Sequence, residues 1–166
     1  MEFIESGMTF KFDDELCFRI EASSIYKKLE NQGVKVVECL ALRKNQLWLI
    51  EAKVTSPQQT TQPRFDEYIT EIKTKFIHSL TLFSSIYIQR YDNNELSSQF
   101  QTLNLSQMDP VFVLIIKNHQ EDWLAPLKDE LQKQLKLTAK LWNLKGAWIR
   151  LMNEQLAQEA GLIHTN

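Results

Sequence analysis

Glu38, Glu51 and Lys53 are the residues whose types and spacing could do chemistry. They lie in Val34–Val54, VKVVECLALRKNQLWLIEAKV, two apolar runs broken at Arg43-Lys44-Asn45-Gln46. Runs rich in β-branched and aromatic residues around a short polar break predict a β-hairpin. Side chains on a strand alternate with a period of two. Val36, Glu38, Leu40 and Leu42 therefore share one face of the first strand, and Leu47, Leu49, Glu51 and Lys53 one face of the second. A turn centred on Lys44-Asn45 pairs Leu42 with Leu47, Leu40 with Leu49, and Glu38 with Glu51. Opposed Cβ atoms on one face lie about 4.5–5.5 Å apart. Two like charges at that distance are destabilising unless something sits between them, and a divalent cation is the obvious candidate. The expectation is a pair of carboxylates within about 6 Å of each other, on one sheet face and open to solvent.

Glu51-Ala52-Lys53 is one of two such tripeptides. The other, Glu71-Ile72-Lys73, falls in a helical pattern, where residues two apart point in different directions. On a strand the acid and the lysine share a face. The plain alternative for Glu51 and Lys53 is a strand-end ion pair that reaches solvent. Glu21 lies at the edge of a helical apolar stripe, and its plain alternative is a solvated boundary carboxylate. Other chemistries have little support. His78, His119 and His164 are far apart and match no ligand spacing, and there is no Gly-rich phosphate loop or Gly-x-Ser-x-Gly turn. Cys39 alternates to the face opposite Glu38, as a buried structural thiol would.

The elements that must position these residues can be read in order. Thr9–Phe12 reads as a short strand. Asp13-Asp14 opens a helix that carries Phe18, Ala22, Ile25 and Leu29 at helical spacing and ends at Gly33. After the hairpin, Ser56–Pro63 (SPQQTTQP) reads as a loop, and Arg64–Ile88 as a long helix with Lys73 and Lys75 near its middle, either able to reach a phosphate. Arg90–Pro110 is polar and irregular. Val111–Ile116 is a continuous apolar run of the kind buried on both faces of a sheet. A helix through Leu124, Leu127, Leu131, Leu135 and Leu141, a last strand over Trp148–Met152 and a closing helix over Glu154–Ala160 complete the chain. The predicted fold is α/β: a mixed central sheet flanked by helices.

At 166 residues the chain reads as a single domain spanning residues 1–166, with an ordinary globular composition of 43% hydrophobic and 24% charged residues. No apolar run approaches a membrane span, the acidic first residues resemble no secretory signal, and two cysteines make no disulfide framework. The expected location is the cytoplasm. A net charge of −2 argues against a uniformly basic nucleic-acid binder. Arg19–Lys53 and Lys117–Arg150 are nevertheless basic, each with seven basic against four acidic residues. A local phosphate-binding surface and scattered solvated side chains fit that pattern equally.

An acid in the first helix (Glu21), an acid in a strand (Glu38), a hairpin to Glu51-x-Lys53 and then a helix together resemble the PD-(D/E)XK nuclease superfamily, which includes restriction endonucleases and Holliday-junction resolvases. The resemblance covers about Glu15–Phe83. Glu38 stands where such nucleases usually carry Asp, after Val37 in place of Pro, and the family usually has one further strand ahead of that acid. The resemblance implies a restriction-endonuclease-like core, with Glu38 and Glu51 as metal ligands for Mg²⁺ or Mn²⁺. It further implies that Lys53 positions or activates the attacking water, with Glu21 as an accessory acid. The implied activity is metal-dependent hydrolysis of DNA phosphodiesters. The alternative is a catalytically silent member of the fold, serving as a binding subunit. Such nucleases commonly cut as dimers, so a homodimer or other oligomer is also implied. The Ser56–Pro63 loop, directly after Lys53, is expected to contact the DNA.

Overall fold

The computed structural model describes residues 1–164. Its centre is a five-stranded mixed sheet in the order β3-β4-β5-β6-β7. The strands are β3 (Cys17–Phe18), β4 (Cys39–Arg43), β5 (Gln46–Lys53), β6 (Asp109–Ile116) and β7 (Ile149–Asn153). Strands β3, β4 and β5 are antiparallel neighbours, while β5, β6 and β7 run parallel. The hairpin has the register the sequence predicts, with Leu42 opposite Leu47 and Leu40 opposite Leu49. Lys44 and Asn45 both take positive φ (46° and 60°), the conformation of a two-residue turn whose twist matches the strands it joins. Parallel strands need long crossovers. Helix α2 (Arg64–Tyr87) joins β5 to β6, and helix α4 (Leu124–Leu141) joins β6 to β7.

The two long helices lie on the same face. Phe65, Ile69, Ile72, Phe76 and Phe83 of α2, and Leu127, Leu131 and Leu135 of α4, pack on Leu40, Leu47, Leu49, Phe112 and Leu114. The opposite face is covered mainly by a second sheet rather than by helices alone. Strands β1 (Glu2–Glu5), β2 (Met8–Lys11) and β8 (Ile163–His164) form an antiparallel sheet in the order β1-β2-β8. Its Phe3, Met8, Phe10 and Ile163, with Ala157 of the short helix α5 (Glu154–Glu159), bury Cys39, Ala41, Trp48, Ile50 and Ala52. Neither β1 nor β8 stood out in the sequence, although Ser6-Gly7 between two short apolar runs is a hairpin turn signal.

The predicted helix over Asp14–Gln32 is corrected. The segment breaks into a 3-10 turn (Asp14–Leu16), β3, a second 3-10 turn (Ile20–Ala22), and a short helix α1 (Ser24–Leu29) that passes into a third such turn before Gly33 at φ 81°. Two competitors override the helical period. Cys17 and Phe18 pair with Ala41 and Leu40 on the open edge of β4. Ser23 restarts the helix, its side chain accepting from the Tyr26 backbone N–H as an N-cap. Glu21 therefore sits on a tight turn and not on a helix. Among the described residues, no helix is long and apolar enough to cross a membrane.

Candidate active site

Glu51 and Lys53 are placed by the last turn of β5's pleat, at the carboxyl end of the strand, facing α2. Glu38 immediately precedes β4, one step beyond the final ladder pair Cys39–Ile50. The segment carrying Glu38 is held by α2, where the Val37 N–H donates to Ser79 Oγ (2.8 Å) and the Lys35 N–H to His78 Nδ1 (3.1 Å). Along the same helix, Tyr68, Glu71, Lys75 and Ser79 recur at spacings of three and four, so they share one face and turn it toward the strand end. The second acid-x-Lys tripeptide is divided accordingly. Glu71 belongs to the site and Lys73 points elsewhere.

The charges alternate. Lys53 Nζ donates to Glu71 Oε1 (2.7 Å) and lies 3.2 Å from Glu51 Oε1. Lys75 Nζ donates to Glu51 Oε2 (3.0 Å), lies 2.8 Å from Glu51 Oε1, and stands 3.7 Å from Glu38 Oε1. The expectation of solvent-open carboxylates is corrected, since Glu51 is fully buried and Glu38 is 4% exposed. Lys75 stands between Glu38 and Glu51, in the place where a divalent cation was expected. Burying a carboxylate without a counter-charge is costly, and two lysines from different elements supply that counter-charge. Lys53 retains a quarter of its side-chain exposure and is the member of the pair that faces outward.

Burial sets the protonation of the site. It pushes the Glu38 carboxyl up to about 9, helped by a hydrogen bond with Glu21 and by the charges of Glu51 and Glu21, and opposed by Lys75. Burial also raises Glu51, against the pull of Lys75 and Lys53. Lys53 and Lys75 are both raised. Desolvation alone would lower them, but for Lys53 the Glu71 hydrogen bond and the Glu51 charge outweigh it, and for Lys75 the charges of Glu51 and Glu38 do so. Tyr68, buried beside this network with its hydroxyl unpartnered, is pushed up by burial and then by the charges of Glu51 and Glu71.

A third group of acids meets Glu38 from the other side. Glu5, Glu21 and Glu38 each offer an oxygen within 4.8 Å of the others. The Ser6-Gly7 turn brings Glu5 there. Ser6 Oγ donates to the Ala52 carbonyl (3.0 Å), and Lys117 Nζ donates to the Gly7 carbonyl (2.7 Å), so the hairpin tip is tied to the ends of β5 and β6. Glu38 Oε2 is buried and has no hydrogen-bond partner. Three acids that each offer an oxygen to one place could hold a metal ion.

The structure thus brings Glu21, Glu38, Glu51 and Lys53 into one connected cluster and adds Glu5, Glu71 and Lys75. Lys75 was read as a possible phosphate contact, and here it neutralises carboxylates. Glu5 carried no signal in the sequence, because its place depends on a pairing between distant segments. His119 and His164 lie outside the cluster, and His78 contributes only through its backbone contact with Lys35. Cys17 and Cys39 are free, buried thiols on the opposite face, and burial raises Cys39 well above the ordinary thiol range. Compared with known proteins, the chain matches no family model, no curated protein and no solved structure.

Proposed function

We propose that the chain is a divalent-metal-dependent nuclease that hydrolyses DNA phosphodiesters, built on a restriction-endonuclease-like core of the PD-(D/E)XK type. The observation that carries this reading is the meeting of Glu38, Glu51 and Lys53 at one sheet end, where a buried Glu38 oxygen lacks a partner. Between Glu21 and Glu38 the described chain carries helical turns and no strand, a departure from such nucleases, while β3, which pairs with β4, precedes Glu21. Glu38, with Glu5 and Glu21, would hold Mg²⁺ or Mn²⁺. When bound, the metal lowers the pKa of a coordinated water and offsets charge on the phosphate. Glu51 keeps the Lys53 and Lys75 ammonium groups charged beside that place. Glu71 fixes the Lys53 ammonium, which faces outward to support negative charge developing on the phosphate.

Mg²⁺- or Mn²⁺-dependent DNA cleavage is the expected activity. It should fall by at least about 10²-fold in Lys53→Ala, the scale of losing one preorganised charge stabiliser. Glu51→Gln, which keeps the shape, should fall similarly. One observation favours a second reading, a catalytically silent binding subunit of the same fold. The Lys75 ammonium already neutralises Glu51 and stands 3.7 Å from Glu38 without a metal. Linear, supercoiled and branched DNA left intact with either metal would decide for that second reading.

A further inference from the structure

The ends of β5 and β6 open onto a cavity that the charge network does not use. Its volume is about 300 Å³, the lower end of the range for enclosed small-molecule sites. It lies beyond the carboxyl ends of two parallel strands, between the starts of α2 and α4, where open α/β sheets bind ligands. Phe65 and Leu127 form an apolar floor. Trp123 stands at the wall with 45% of its surface exposed, its ring edge-on to His119 at 5.6 Å between centroids. The polar groups are unspent. His119 Nε2 is buried without a partner, while Nδ1 lies 3.4 Å from Ser56 Oγ. Gln58 and Gln59 are exposed at the rim.

A second groove, of about 500 Å³, shares Ser56 and Pro57 with the cavity and runs back past Arg64 and Tyr68 to Glu71, the partner of Lys53. Ser56 is three residues beyond Lys53, so the cavity begins within about 10 Å of the candidate active site along the chain. Resting on the reading above that the chain handles DNA, we propose that this cavity receives one unpaired nucleobase of the strand lying across Lys53. Trp123 stacks on the base, and His119, Gln58 and Gln59 meet its polar edge. A flat, apolar ring with hydrogen-bonding edges matches one aromatic wall, an apolar floor and a few convergent polar groups. Gln58 and Gln59, exposed at the rim, can donate to and accept from such edges. A base kept inside a duplex cannot enter a pocket of this depth without leaving the stack. Arg64 contacts the backbone between the two sites.

The test is binding of the whole chain, in EDTA, to a short single-stranded DNA carrying 2-aminopurine and to the same strand with an abasic residue at that position. The base-bearing strand should bind about tenfold tighter and its fluorescence should be quenched, as base–aromatic stacking requires. Trp123→Ala should abolish the quench and the difference between strands, and Trp123→Phe should restore part of both. Joint replacement of Gln58 and Gln59 by Ala reads the same difference if Trp123→Ala does not fold. Equal affinities for the two strands, or a quench unchanged in Trp123→Ala, would overturn the proposal. Because no metal is present, a chain that fails to cut DNA can still pass this test, and a chain that cuts can fail it.

Discussion

The two faces of the central sheet are buried under different rules. Toward β1, β2 and α5 the strands present Cys39, Ala41, Trp48, Ile50 and Ala52, an apolar set on which the Arg43 and Arg150 guanidinium groups stack over Trp48. Toward α2 the alternate residues are apolar along most of the strand and then turn into Glu38, Glu51 and Lys53 at its end. The same pleat thus carries an inert face and a charged one. The charged face is possible because α2 delivers Lys75 and Glu71 one turn apart, so that Glu51 meets two ammonium groups and Lys53 meets two carboxylates. A buried charge of this kind is weak evidence for stability and better evidence for use, since apolar residues would fill the space at less cost.

Removing Lys75 would break the comparison most severely. Lys75→Ala leaves Glu51 fully buried with only the quarter-exposed Lys53 nearby, and unfolding in urea should show a loss of about 3 kcal/mol, toward the low end for a broken buried pair because Lys53 remains. Lys75→Met combined with Glu51→Gln should recover most of it, because the uncompensated charge is gone. A loss below about 1 kcal/mol in the single variant would mean that Glu51 is not an obligate ion in the folded chain.

A smaller effect concerns pH. The Glu38 carboxyl is held up at about 9 by burial, whereas in the unfolded chain a Glu titrates near its ordinary value of about 4.3. Between those values the folded chain holds a proton that the unfolded chain has released. Its contribution to stability is therefore fully present below the unfolded value and is lost as pH rises toward the folded one. In EDTA, stability should decline from pH 5 to pH 9, and Glu38→Gln should flatten that decline, gaining on the order of 2 kcal/mol over the parent at the alkaline end. Parallel curves for the two proteins would show that Glu38 is ionised in the fold. The smallest effect belongs to the inert face. Ile50→Val, one residue before Glu51, should cost about 1 kcal/mol and leave metal dependence untouched, as a methyl lost from an apolar layer does.

The parts of this site that were legible in the sequence are those set by local rules. Lys44-Asn45 fixed the hairpin turn, the period of two sorted Glu38 and Glu51 from Cys39 and Ile50, and the length of apolar periodicity gave α2 and α4. Whatever depends on a partner remote in sequence was not legible. Phe18, Ala22, Ile25 and Leu29 are spaced as a helix, yet Cys17–Phe18 pair with the open edge of β4, where both side chains are buried. The like-charge argument over Glu38 and Glu51 points to a divalent cation between them, and in the fold the Lys75 ammonium of α2 stands there. Glu71 was set aside for being helical, and its helical position is the reason it reaches Lys53.

Strand β2 pairs with β1 on one side and with β8 on the other, Phe10 standing opposite Ile163. Glu5 rides on that small sheet, so one acid of the cluster depends on contacts between the earliest and the latest described segments of the chain. During synthesis, β4, β5 and α2 emerge and can dock while β2 still lacks its outer neighbour. Pairing across so long an interval of sequence is entropically late. Glu5 is thus set by a hairpin that Ala52 and Lys117 hold at its tip and β8 holds at its outer edge, so the acidic cluster is finished only once segments far apart in sequence have met.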